Sequence, residues 1–168
     1  FSDISNSSTR SGLSLVYRTG THFRHYLVDG ITPEPDLIFG LATDARGNIW
    51  AGGRPNNRLL MIRPDGVAEK IPLPFSPVKY YNMPRNIIPD RNGNLWIAFF
   101  QDYLYQLNPE TMEFHDYSWI FNKKEVPGTL PLFRIVRPLE NGRMFAAGGG
   151  RMYVFDPSSG DVITEPSP

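Results

Sequence analysis

Apolar residues in this chain come in short runs broken by Gly, Pro, Asn and Asp, without the three-to-four spacing of an amphipathic helix. The stretch from Asn86 shows the pattern best. Asn86 to Pro89 reads as a short apolar strand, Leu95 to Phe100 as a second, Tyr103 to Leu107 as a third, and Glu113 to Tyr117 as a fourth with polar alternation. Leu95 to Phe100 is apolar throughout, as expected of a strand covered on both faces. Turns separate these strands. In Asp90 to Asn94 the glycine supplies a positive φ and Asp or Asn caps its own backbone, and Asn108 to Thr111 forms the next turn.

The pattern repeats. Thr43-Asp44-Ala45-Arg46-Gly47-Asn48-Ile49-Trp50-Ala51 recurs 46 residues later as Pro89-Asp90-Arg91-Asn92-Gly93-Asn94-Leu95-Trp96-Ile97. A weaker copy, Glu140-Asn141-Gly142-Arg143-Met144-Phe145-Ala146, follows after 49 more, with Phe145 where the tryptophans stood. An apolar run closed by a turn keeps the same period, at Leu15–Gly20, Leu60–Gly66, Leu104–Thr111 and Tyr153–Gly160. Four antiparallel strands per period, the innermost apolar and the outermost half polar, predict an all-β fold made of β-propeller blades. Copies span 37–75, 83–118 and 131–165, and residues 1–27 supply part of an earlier blade, mostly its outer hairpin. Residues 1–168 therefore read as one propeller segment of about three and a half blades, where closed rings need ~4–8. The expected partners are the remaining blades of a larger ring, in the same protein or in other copies of the chain, because an open sheet edge invites pairing.

Composition narrows the function classes. There are 15 Gly and 16 Pro in 168 residues, about 18 % against a usual ~12 %, as many tight turns require. Seventeen basic residues balance seventeen acidic ones, so the surplus of Lys and Arg that phosphate binding needs is missing, and nucleic acid is not an expected partner. No polybasic stretch addresses a membrane surface, and no apolar stretch approaches the ~20 residues of a span. With no cysteine there is no disulfide framework, Cys-ligated zinc or thiol nucleophile. The start at Phe1, without Met or a leader pattern, reads as a processed or excised piece.

Asp90-Arg91-Asn92-Gly93-Asn94-Leu95-Trp96-Ile97 resembles the two-component regulator propeller repeat. The run from Gly142 through Gly148-Gly149-Gly150 to Phe155-Asp156-Pro157 looks like the last blade of that family's second propeller. The resemblance covers roughly residues 13–165; the chain departs from the repeat at Ala98-Phe99-Phe100 and in the insertion from Arg54 to Arg58. It implies the periplasmic, non-catalytic sensor region of a hybrid two-component system, binding an oligosaccharide and relaying it by domain reorientation. Ile62–Pro74 is similar to the repeat of streptogramin lyases, which use histidines and a magnesium ion at the ring centre. Here His22, His25 and His115 all fall on strands that read as outer ones, so the lyase is the lesser alternative, beside a protein-interaction scaffold.

Trp50, Trp96 and Phe145 hold one equivalent position, where a large residue is expected to pack between blades. Asp44 and Asp90 open Asp-x-x-Gly-Asn turns whose glycine and missing Glu do not fit a calcium loop, so they read as turn caps. No catalytic constellation, metal-ligand set or cofactor motif presents itself; Gly148-Gly149-Gly150 lacks the Lys-Ser/Thr of a phosphate loop. In a propeller, the loops joining second to third strands and fourth strands to the next blade share one face. Here they hold Arg54, Asn56, Lys79, Tyr80, Tyr81, Gln101, Asp102 and Trp119, a polar and aromatic set suited to a sugar. Arg85 and Arg134 are equivalent by the repeat and sit near the channel mouth on innermost strands, with Phe39 in the same place one blade earlier. Such a matched pair suits an acidic ligand.

Overall fold

The computed structural model describes residues 13–16, 23–26, 37–54, 58–74, 83–100, 103–122, 133–148 and 151–164. Three four-stranded antiparallel sheets follow one another along the chain. The first comprises β3 (Leu37–Thr43), β4 (Ile49–Arg54), β5 (Arg58–Ile62) and β6 (Ala68–Ile71) in sequential order. The second comprises β7 (Pro84–Pro89), β8 (Leu95–Phe99), β9 (Leu104–Asn108) and β10 (Glu113–Asp116), and the third β11 (Phe133–Pro138), β12 (Met144–Gly148), β13 (Arg151–Phe155) and β14 (Val162–Thr164). Ahead of them, β1 (Leu13–Val16) pairs with β2 (Phe23–Tyr26) in a two-stranded hairpin. A single helical turn, α1 (Trp119–Asn122), follows β10. Up-and-down sheets packed face to face in series are propeller blades, and the fold is the all-β one that the repeat predicts.

The second sheet is sandwiched because its second strand is apolar on both sides. Every residue of β8 is buried, and its alternate side chains go to different cores, as strand geometry dictates. Leu95, Ile97 and Phe99 pack with Trp50, Leu59, Met61 and Ala42 of the first sheet. Trp96 and Ala98 pack with Val136, Met144, Tyr153 and Phe155 of the third, together with Ile120 of α1. Trp50 and Trp96 are 0 % and 2 % exposed, and burying side chains of this size is worth about 2–3 kcal/mol each. Phe145 has the same register but projects from the outer face of the third sheet, where it is half-buried.

Blades converge toward the ring axis, so the inner strands need small residues where sheets meet. Gly52 shows how tight the approach is: a Cβ there would lie 2.3 Å from Pro84 Cβ and 3.2 Å from its carbonyl oxygen. Farther along, the Asn86 side-chain oxygen accepts the Val136 backbone N–H at 2.9 Å, joining the inner strands of the second and third sheets.

The turns between first and second strands are built around an aspartate. Asp44 accepts the backbone N–H groups of Arg46 and Asn48, both at 2.9 Å, the Asn48 amide at 2.9 Å and the Trp50 indole N–H at 2.8 Å. Asp90 accepts Asn92 N, Asn94 N, Trp96 Nε1 and Gln106 Nε2 at 2.9–3.0 Å. Both aspartates thus cap their turns and also hold the blade tryptophan by its polar atom. In the third blade Leu139 and Phe145 occupy the two positions, and the turn is held by the backbone bonds Leu139 N to Arg143 O and Gly142 N to Leu139 O and by the Asn141 side-chain oxygen, which accepts the Arg143 N–H at 3.2 Å. Acid and indole have been lost together.

Candidate functional site

The innermost strands share an irregularity. Pairing with the second strand skips one residue between Ile38 and Gly40, between Pro84 and Asn86, and between Phe133 and Ile135. The extra residues are Phe39, Arg85 and Arg134. A bulge leaves one residue out of the ladder and re-aims its side chain. The three positions that the repeat makes equivalent are therefore also the three that leave regular pairing at the inner end of each blade. Phe39 is 38 % exposed and Arg134 exposed, while Arg85 is half-buried.

Aromatic rings account for the partial burial of Arg85. Its guanidinium lies 4.8 Å from the centroid of Phe100 and 5.6 Å from that of Phe39, which belongs to the preceding blade. Phe100 is held at the mouth by its backbone N–H, which donates to Met83 O at 3.0 Å just before β7 begins. Such cation–π contacts hold the charge over the rings without consuming the hydrogen-bond donors of the guanidinium. Among the described residues no carboxylate pairs with Arg85 or Arg134. Two cations at equivalent inner positions, with no counter-charge among the described residues and one of them flanked by aromatic rings, suit an anion that also carries apolar surface.

The residues expected to share this face are only partly brought together. The backbone of Arg54 ends β4; its side chain, with Asn56, Lys79, Tyr80, Tyr81, Gln101 and Asp102, lies outside the described residues. Trp119 is placed elsewhere. It opens α1, and its indole covers Gly160, where a Cβ would meet the ring at 2.5 Å. Gly160 belongs to the turn between β13 and β14, so Trp119 packs at the seam between the second and third blades. The helical turn carries it there, because Ile120 inserts into the core between the second and third sheets. Phe100 is the residue that sequence reasoning missed. Its signal in the sequence is the departure from the repeat at Ala98-Phe99-Phe100. His115, on the outermost strand β10, is exposed and away from the inner strands, while His22 and the side chain of His25 lie outside the described residues.

No family model and no curated protein matches the chain in sequence. In structure it is similar to the extracellular domain assigned to the hybrid two-component system BT4673 of B. thetaiotaomicron, with TM-score 0.74 and 17 % identity over 95 % of this chain and 20 % of that one. The corresponding domain of BT3049 from the same organism gives 0.68 and 16 %, over 94 % and 21 %. A catalytically inactive virginiamycin B lyase from Staphylococcus aureus, solved with quinupristin, gives 0.73 and 15 %, over 96 % and 50 %. The chain thus spans about half the length of the lyase and about a fifth of each sensor domain. What it shares with all three is the β-propeller fold.

Proposed function

We propose that the chain is a non-catalytic sensing segment of an extracytoplasmic receptor. Its ligand is an acidic oligosaccharide, bound at the inner mouth marked by Phe39, Arg85 and Arg134. The observation that carries this reading is the repeated bulge, which sets two guanidinium groups, without a carboxylate partner among the described residues, at equivalent positions with Phe39 and Phe100 beside one of them. An arginine fork matches a uronate or sulfate, and the rings suit the apolar face of a sugar. The structural likeness to extracellular domains of hybrid two-component systems supports the setting. Signalling then follows if the ligand prefers one orientation of the propeller relative to a neighbouring domain. Calorimetric titration with oligogalacturonides and with chondroitin- and heparin-derived fragments tests the reading. Saturable binding by at least one is expected, and silence across all of them would overturn it.

A second observation favours a scaffold reading. On the outer face of the third sheet Ile135 and Met152 are 44 % and 53 % exposed, both in register with Ala147 and on the same face as the half-buried Phe145. This is the face that the first and second sheets each cover with the following sheet. We infer that it packs against another blade, from a longer polypeptide or a second copy. Light scattering distinguishes the two sources: a concentration-dependent dimer indicates a second copy, and a monomer assigns the face to covalently linked blades.

A further inference from the structure

At the opposite end of the blades the two seams between sheets are closed differently. Across the first seam Arg46, in the turn between β3 and β4, reaches Glu110, in the turn between β9 and β10, at 2.8 Å. The repeat puts Asn92 where Arg46 stands and Ser158 where Glu110 stands. Neither is long enough to bridge. The second seam is crossed instead by Arg91, whose Nη1 donates to the Glu140 carbonyl oxygen at 3.4 Å, and beside that contact lies a cleft of about 360 Å³ that Asn92 and Ser158 both line, within the ~300–1,000 Å³ range of small-molecule sites.

The interior of the cleft is ordered by the bonds already described. Trp96 and Tyr117 line it as an aromatic pair, centroids 4.7 Å apart and planes 41° apart. Asp90 fixes the Trp96 indole and the Gln106 amide with one carboxylate oxygen, so Gln106 keeps its carbonyl oxygen as an acceptor. The charged side chains of the lining are Asp90 and Glu140 against Arg91 and Arg143, which balance. Burial and the Asp90 charge both hold the Tyr117 hydroxyl in its protonated, hydrogen-donating form. The half-buried Tyr117 ring, amide and hydroxyl groups at close range and no net charge match a neutral polyhydroxylated ring. We propose that the cleft between the second and third blades, on the face opposite the arginine mouth, is a separate binding site for a neutral sugar of one or two pyranose rings.

The test uses the whole chain, titrated with maltose, cellobiose and lactose while the tryptophan indole N–H resonances are followed by NMR. Saturable shifts of the Trp96 indole are expected with at least one sugar, and the Trp50 indole, behind the Arg46–Glu110 bridge, should stay in place. The double substitution Asn92→Arg with Ser158→Glu copies that bridge into the second seam and should weaken the same titration tenfold or more. Both positions are exposed turn sites, and a Trp50 resonance unmoved from wild type confirms that the double variant is folded. Absence of saturable Trp96 shifts with all three sugars would overturn the proposal, and so would equal affinity in the bridged variant.

Discussion

Replacing Asp44 by Leu copies into the first blade half of what the third blade carries, since Leu139 and Phe145 stand where Asp44 and Trp50 do. The cost is read from the bonds. Two backbone N–H groups of the turn lose their cap, worth about 1–2 kcal/mol. The Trp50 indole N–H, on a side chain with no exposure, is left without its acceptor, which costs about 1–3 kcal/mol more. Asp44→Leu alone should therefore destabilise by about 3–4 kcal/mol. Trp50→Phe removes the same bond from the other side and trims the core. In the double variant the orphaned donor is gone, so the two losses should fall short of additivity by about 1.5–3 kcal/mol, the worth of a bond to a charged acceptor. Urea unfolding of all four proteins, followed by circular dichroism, measures the coupling. Additivity within about 0.5 kcal/mol would refute the claim that acid and indole act as a unit.

Four further outcomes follow from the same geometry. Gly52→Ala drives a Cβ to 2.3 Å from Pro84 and should lower stability by about 1–3 kcal/mol, visible as a lower urea midpoint; a neutral effect would mean the blades can separate there at no cost. Met112, at φ 59 and 38 % exposed, holds a left-handed turn position where Gly66 and Gly160 serve in the other blades, so Met112→Gly should stabilise by about 1 kcal/mol, raising the thermal midpoint. Burial first, then the charges of Asp116 and Tyr103, push the Tyr105 hydroxyl up to about 12; because the unfolded chain ionises near 10, stability should fall as pH rises from there through the folded value, and Tyr105→Phe should flatten that fall. At the acid end the Asp44 carboxyl behaves oppositely. Burial pushes it up, but the Trp50, Asn48 and Arg46 donors together outweigh burial and set it below its ordinary 3.8, so its stabilisation is complete above the ordinary value and is lost as pH falls through the folded one. Asp44→Asn should show the shallower acid limb.

Local chemistry with a short reach was legible in the sequence. The Asp-x-x-Gly-Asn turns and the doubly covered β8 depend on neighbours a few residues away, so the repeat displayed them directly. The equivalence of Phe39, Arg85 and Arg134 was also readable, because it needs only the period. That each is a bulge was not, since a bulge is a mismatch between two strands and leaves no mark on either alone. For the same reason β7 begins at Pro84, two residues before the apolar run suggests: proline is tolerated at a strand's first position and Arg85 steps out of the pairing. Phe100 meets Arg85 across the β7–β8 hairpin of its own blade, at the point where the bulge shifts the pairing, whereas Trp119 over Gly160 joins segments distant in sequence and is fixed by how neighbouring blades pack. The cleft at the second seam depends on two short side chains standing where a salt bridge closes the first, a comparison that requires both seams in three dimensions.

The most direct measurement is the affinity of the chain for an acidic oligosaccharide before and after Arg85→Ala and Arg134→Ala, each by calorimetry at low and physiological salt. If the bulged arginines form the binding mouth, each substitution weakens binding tenfold or more, and the salt dependence of the wild-type chain shrinks in both variants. Affinity unchanged in both, or no acidic oligosaccharide bound by the wild-type chain, would contradict the account.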